Sequence, residues 1–257
     1  MNNHLLRETA AVALSLLDLT DLTDDCTDQR IEVLCARAQT PFGNSAAICI
    51  WPRFVAHARG ILGAGHPVRI ATVVNFPGGD MEIADVAAET REAIADGADE
   101  IDLVIPYHAL IAGNEKAVTD MVKAVRAECV APVILKTILE TGELKEPALI
   151  RRASELAIDA GADFIKTSTG KVAVNATLEA ADIMLRTIRE RGRNVGFKAA
   201  GGIGSVSDAA LYLRLAETIM APDWPMPSTF RFGASRVLDD ILAVLNGGPS
   251  SSASAGY

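Results

Sequence analysis

Short apolar runs alternate with amphipathic segments from one end of the chain to the other. Runs rich in Ile, Val and Leu, bounded by Gly, Pro or acidic residues, read as buried strands. They are "AAICI" (46–50), "RIATVVNF" (69–76), "EIDLVIP" (100–106), "PVILKTIL" (132–139), "DFIKTS" (163–168), "VGFKAA" (195–200), "ETIM" (217–220) and "FRFGA" (230–234). Between them lie helical patterns such as "IADVAAETREAIADGA" and "EPALIRRASELAIDAGA". These two helices end alike, in "DGADE" and "AGADF": a Gly just past the helix, then an acidic residue, then the next strand. Gly is the usual residue beyond a helix end because it accepts the left-handed conformation found there.

About eight βα units in series, with strands too apolar to face water, predict a parallel sheet covered by helices. A TIM (β/α)8 barrel fits both the count and the length of 257 residues, and we expect 1–257 to form one such domain. An open doubly wound sheet is the structural alternative. It usually begins with a G-x-G-x-x-G turn after the first strand, and no such turn follows "AAICI". Residues from about 1 to 40 read as extra N-terminal helices, with "DLTDLTDD" as a turn rich in helix-capping residues. The end, from about 247 to 257, reads as a flexible Gly/Ser tail.

A hydrophobic content of 49% supplies a sizeable core, and the net charge of -9 argues against nucleic acid as a partner. A small anionic ligand stays compatible, since a local pocket can be positive on an acidic protein. The four cysteines show no C-x-x-C spacing and the four histidines are scattered, so neither a metal site nor a redox motif is expected. "AAVALSLL" near the start has charged flanks and no small-residue cleavage site, and so reads as a helix face. No apolar run approaches the roughly 18 residues of a membrane span, and the expectation is a cytoplasmic protein without a membrane partner.

The chemistry-bearing signal is charge inside strands. Alternate strand residues face a barrel's interior. In "EIDLVIP", Ile101, Leu103 and Ile105 suit packing under helices, which turns Asp102 inward. The same alternation groups Lys136 with Ile134 and Ile138, and Lys166 with Phe164 and Ser168; Lys198 sits near the end of its strand. Buried charge is costly unless paired, so one Asp with three Lys is more than a structural pair requires. An amine attacks a carbonyl only when neutral, and a second ammonium nearby favours that form. A carboxylate could then move protons during carbinolamine dehydration and C–H abstraction. The pattern is that of a Schiff-base site and leaves open which lysine is the nucleophile. Three Gly-containing turns, "STGK" (168–171), "AAGGIGS" (199–205) and "FGAS" (232–235), follow late strands, where barrels of this kind commonly bind phosphate. Lys171 and Ser235 are at hand there. Cys49, near the end of the first expected strand, reads either as a small buried hydrophobe or as a thiol beside the site.

The stretches "ADFIKTSTGKV", "VGFKAAGG", "NSAAICIWPRF", "DEIDLVIPY", "LKTILETGEL" and "FRFGAS" together resemble the deoxyribose-phosphate aldolases, class I aldolases, from about residue 12 to the C-terminal tyrosine. The resemblance implies a TIM barrel, no metal and no cofactor. It implies reversible cleavage of 2-deoxy-D-ribose 5-phosphate to acetaldehyde and D-glyceraldehyde 3-phosphate, with small sugar phosphates and aldehydes as partners and a monomer or homodimer as the assembly. By motif, Lys166 would be the Schiff-base lysine, Lys198 the neighbouring ammonium and Asp102 the proton-transfer carboxylate. Substrate contacts would include Asp18, Thr20, Thr169 and Lys171, then Gly201, Gly202, Gly233 and Ser235 around the phosphate, and Tyr257 on the tail. Lys136 and Cys49 are counted with this set.

Three departures stand out. The family stretch K-P-A-G-G-[VI]-R is here "KAAGGIG", so Ala199 replaces a proline and Gly204 an arginine; "GASS" is here "GASR", with Arg236 for a serine. Arg236 is the candidate source of the charge missing at Gly204. A 2-keto-3-deoxy-sugar-acid aldolase or a transaldolase shares the lysine logic, and a non-catalytic sugar-phosphate-binding barrel is the reading from another class.

Overall fold

The computed structural model describes residues 3–251; Tyr257 and the rest of the tail beyond 251 lie outside the described residues. Eight parallel strands close into a barrel: β1 (Leu17–Asp21), β2 (Ala47–Ile50), β3 (Arg69–Val74), β4 (Glu100–Val104), β5 (Ile134–Ile138), β6 (Phe164–Lys166), β7 (Gly196–Ala200) and β8 (Phe230–Ala234). Each pairs with the next and β8 pairs with β1, so the sheet has no free edge. The expected TIM barrel is therefore the observed architecture.

Two expected elements are corrected. The segment 217–220 is no strand but the last turn of the helix Val206–Ile219, followed by Met220. Its apolar residues continue the helix's buried face from Leu213 and Ala216 to Ile219, a spacing of three that outweighs the short β-like run "ETIM". The missing strand lies in the segment expected to be helical only: β1 is "LDLTD". Its inward positions, Asp18 and Thr20, are polar and its apolar residues are just Leu17 and Leu19, which merge with the apolar helix face before them. One helix, Asn3–Ser15, precedes the barrel and packs on Val206–Ile219 and Val237–Leu245. The helix Asp28–Arg37 is no extra element, since it links β1 to β2, and Thr27 caps it by accepting from Arg30 N. Cys49 accordingly lies in the second strand, not the first.

The repeated "GAD" ending has a structural cause. Gly97 (φ 106°) and Gly161 (φ 108°) leave their helices in the left-handed region. The Asp two residues on then ties the helix end to the sheet. Asp99 Oδ2 accepts from Ile70 N at 2.8 Å and from Arg59 at 2.6 Å. Asp163 Oδ2 accepts from Leu135 N at 2.8 Å and from Arg126 at 2.6 Å. Each carboxylate thus satisfies a strand N–H at the barrel's N-terminal end and neutralises an arginine from a preceding helix.

Inside the barrel the amino-terminal layer is filled by Phe164. A Cβ built on Gly196 would lie 2.3 Å from the Phe164 ring, so only glycine leaves room for it. The Arg231 guanidinium sits 5.7 Å from the same ring's centroid. Gly196→Ala should destabilise the fold by about 1–3 kcal/mol through overpacking, seen as a lower Tm, while KM for substrate stays as in the wild type. An unchanged Tm would show that the ring can move aside.

Candidate active site

The carboxyl ends of the strands surround a cavity of about 260 Å³. Thr20 of β1 lines it, with Lys166 at its base. The loop after β6 supplies Thr169 and Lys171, the loop after β7 Gly201 and Gly202, β8 itself Gly233, and the turn after it Ser235 and Arg236. These expected ligand contacts are thus brought together at one mouth. Asp18, Asp102, Lys136, Lys198 and Cys49 do not reach that surface; they are fully buried beneath it.

Below the cavity the charged residues form a closed ring of alternating sign. Asp102 Oδ1 accepts from Lys136 Nζ at 2.8 Å, and Lys136 Nζ lies 2.5 Å from Glu100. Glu100 is held by both terminal nitrogens of Arg231, at 2.8 and 3.1 Å. Arg231 also donates to Asp18 Oδ1 at 2.6 Å. Asp18 Oδ2 lies 2.6 Å from Lys198 Nζ, which returns to Asp102 Oδ2 at 2.7 Å. Lys166 stands outside this ring and joins it at one point, donating to Asp102 Oδ2 at 2.8 Å. Three carboxylates therefore face four cations, and the surplus one is the lysine in the cavity.

Such a cluster is stable only because each charge is met by the opposite one. Burial opposes ionisation of Asp102, yet Lys136, Lys166 and Lys198 together hold its carboxyl well below the usual carboxylate range. Glu100 is lowered in the same way, against burial, by Lys136 and Arg231. For Lys198 burial works against the ammonium, but Asp102 and Asp18 more than offset it and raise its pKa. Lys136 is likewise raised by Asp102 and Glu100 against burial. At neutral pH Lys136 and Lys198 keep their protons, and the carboxylates of Asp102 and Glu100 are bare.

The smallest residues lie where the lysines pass. A Cβ on Gly233 would come within 3.0 Å of Lys198 Cε, so this glycine makes room for the lysine as well as lining the cavity. Cys49 packs with Ala47, Ala71 and Val73 in a small apolar wall on the opposite strands, and burial raises its thiol pKa. The neutral thiol is part of that wall.

Four participants were missed by sequence reading. Arg231 precedes Gly233 by two and Glu100 precedes Asp102 by two, so the alternation that turned Asp102 inward applied to both. Glu140 carried no such signal. It follows β5 in the left-handed conformation (φ 58°), and its carboxylate accepts from Thr169 Oγ1 at 2.5 Å and Thr169 N at 3.2 Å. Burial raises its pKa, with the Thr169 hydrogen bonds opposing. Thr169 Oγ1 in turn accepts from Lys171 N at 3.0 Å, which fixes this loop over the lysine. Trp51 was quoted only as part of a motif; Lys171 Nζ sits 5.6 Å from its ring centroid and 3.1 Å from the exposed Asp24.

The two helices that follow β7 and β8 differ at their starts. Val206–Ile219 is capped from within: Asp208 accepts from Gly204 N and Ser205 N, and Ser205 Oγ accepts from Asp208 N. Asp240 takes Val206 N at 2.7 Å. Val237–Leu245 begins at Arg236 and no side chain caps it. At this mouth the uncapped helix start therefore lies at Ser235–Arg236.

A parallel barrel whose carboxyl mouth presents one amine on a carboxylate-bound ammonium network has the site architecture of an imine-forming aldolase. Residues 12–223 match the DeoC/LacD family aldolase model, and the chain belongs to that family. The deoxyribose-phosphate aldolase of Agrobacterium fabrum is 70% identical over 251 residues, covering 98% of this chain and 97% of that one. Two crystal structures, each provisionally a deoxyribose-phosphate aldolase, share the fold. The apo form from Toxoplasma gondii ME49 is 26% identical with a TM-score of 0.87 and covers 96% of this chain and 99% of its own. That from Coccidioides immitis is 27% identical with a TM-score of 0.80, covering 93% and 97%.

The lowered carboxylates fix a stability window. Folded Asp102 and Glu100 bind protons less readily than the unfolded chain, whose values are near 3.8 and 4.5. Their contribution is complete above that range and lost as pH falls through the folded values. The raised lysines contribute fully below 10.5 and lose their contribution above it. Tm should stay level from about pH 5 to 9 and fall steeply below about pH 4, less steeply in Asp102→Asn. A Tm unchanged between pH 5 and 3 would contradict the ionised cluster.

Proposed function

We propose that this protein is a class I aldolase that reversibly cleaves 2-deoxy-D-ribose 5-phosphate to acetaldehyde and D-glyceraldehyde 3-phosphate through an imine on Lys166. One observation carries the assignment: of the seven clustered charges, Lys166 alone opens on the cavity. Its neutral amine attacks the C1 aldehyde, and the carbinolamine loses water to give an iminium. A base takes the C3 hydroxyl proton, the C2–C3 bond breaks, and its electron pair moves into the iminium to form an enamine. Glyceraldehyde 3-phosphate leaves. Protonation at C2 and hydrolysis then release acetaldehyde and restore the amine. Asp102, 2.8 Å from Lys166, takes the amine's proton and returns it to the carbinolamine hydroxyl, which leaves as water, while Lys198, 2.7 Å from the same carboxylate, stays an ammonium. Lys198, bound to the same carboxylate oxygen, keeps a cation beside the reacting nitrogen. Thr20 and Thr169 face the sugar hydroxyls, and Lys171, Ser235 and Arg236 the phosphate. We place the activity in the cytoplasm and assign it neither cofactor nor nucleic-acid partner.

Incubation with acetaldehyde followed by cyanoborohydride should add one reduced two-carbon group to the peptide holding Lys166, and Lys166→Ala should lose both adduct and turnover. An adduct on Lys198 would reverse the two roles, and pyruvate trapping with no reaction of acetaldehyde would point to a keto-acid aldolase. Arg236→Ala should raise KM for deoxyribose 5-phosphate roughly tenfold or more, the worth of a charged hydrogen bond, and leave unphosphorylated deoxyribose unaffected. An unchanged KM would remove Arg236 from the phosphate site.

A further inference from the structure

The ring through Asp102, Lys136, Glu100, Arg231, Asp18 and Lys198 contains three anions and three cations, and so is neutral by itself. Arg231 and Glu100 occupy its far side. Neither lines the cavity, and both are at least 97% buried. They reach Asp102 by two routes, cross-linked where Lys136 Nζ lies 3.7 Å from Asp18 Oδ2. Glu100 acts through Lys136 on Oδ1, and Arg231 acts through Asp18 and Lys198 on Oδ2, the oxygen that Lys166 shares. In a dry interior such charges interact over the width of the barrel with little screening.

We propose that Arg231 and Glu100 are positioning residues which, by keeping this ring neutral, set the pH range in which Lys166 can attack a carbonyl. The proposal rests on the reading of Lys166 as the imine-forming amine. Remove the arginine charge and the ring becomes net negative, so protonated Lys166 is held more tightly. Remove the Glu100 charge and the ring becomes net positive, so the proton leaves more readily. Remove both and neutrality returns, although the direct contacts are altered.

Of the other groups facing Lys166, Glu140 attracts it, and does so equally in the wild type and in every variant below. Cys49 on β2 is a neutral thiol and β3 presents Ala71 and Val73. Arg69, at the N-terminal end of β3, lies 3.8 Å from Glu100 but is partly exposed and screened by water. Glu140 is bound to Thr169, Lys171 is paired with Asp24, and Arg236 stands at the rim. None of these is altered in the variants below.

The test is the pH dependence of the acetaldehyde-trapping rate, read as the midpoint of its acid limb. Trapping on Lys166 in the wild type is the control for the underlying reading, and its absence would defeat that reading before any variant is compared. With trapping present, Arg231→Gln should move the midpoint up and Glu100→Gln should move it down, each by about one pH unit. The Glu100→Gln/Arg231→Gln double variant should return to within a few tenths of the wild-type midpoint. Arg231→Lys should keep the wild-type midpoint even if its maximal rate falls, because it keeps the charge. Damage to packing alone would lower rate or Tm in all variants without moving midpoints in opposite directions. Should Arg231→Gln fail to fold, Glu100→Gln and the double variant still decide. Equal midpoints throughout, or shifts of one sign, would overturn the proposal.

Discussion

Everything at this site depends on Asp102 holding three ammonium groups at once inside a barrel that excludes water. A buried carboxylate with one partner would be a weak structural device, since desolvation cancels most of its attraction. Here each of its oxygens is part of a longer alternation of charge, with Lys136 on one and Lys198 and Lys166 on the other. The ring has to be complete to be affordable: take one member away and a bare charge remains in a medium that cannot solvate it. This explains why chemistry and core are inseparable in this protein. The same side chains that fill the barrel's middle layer also hold, through Asp102, the one member of the cluster that lines the cavity, Lys166.

The barrel's architecture provides the geometry. Neighbouring parallel strands place Asp102 in register with Lys136, Ile138 with Lys166, and Lys166 with Lys198. The stagger of the strands brings Lys198 and its register partner Arg231 to opposite oxygens of Asp18. Small residues on the remaining wall, Ala47, Ala71 and Gly233, leave volume for four long cationic side chains. Closed sheet, fixed register and graded side-chain size thus act together. Loss of any one would leave the charges too far apart to compensate one another.

The mouth of the barrel is organised on a different principle. Its helices compete for the same resource, free backbone N–H groups. Val206–Ile219 spends its own on Asp208 and Asp240, whereas Val237–Leu245 begins uncapped beside an arginine. A glycine-rich loop by itself would have suggested the former as the anion site. The capping hydrogen bonds turn attention to the latter, which begins beside Arg236 at the cavity mouth. Glu140 and Thr169 hold the loop after β6, from which Lys171 lines the cavity.

By itself the sequence determined the α/β alternation, the parallel barrel, and the inward direction of Asp102, Lys136 and Lys166, because strand periodicity depends on nearest neighbours alone. The GAD repeat and the glycine turns were legible for the same local reason. Tertiary structure decided what local pattern does not encode. It made "LDLTD" a strand, since only the seam between β8 and β2 gives that short polar run its pairing partners. It made "ETIM" a helix end, since the helix's buried face continues through it. It placed Asp18 and Lys136 below the cavity in place of the substrate surface, and it closed the charge ring through Arg231 and Glu100. Those positions follow from barrel shear and from electrostatic compensation between strands far apart in the chain, and both come into being only when the barrel closes.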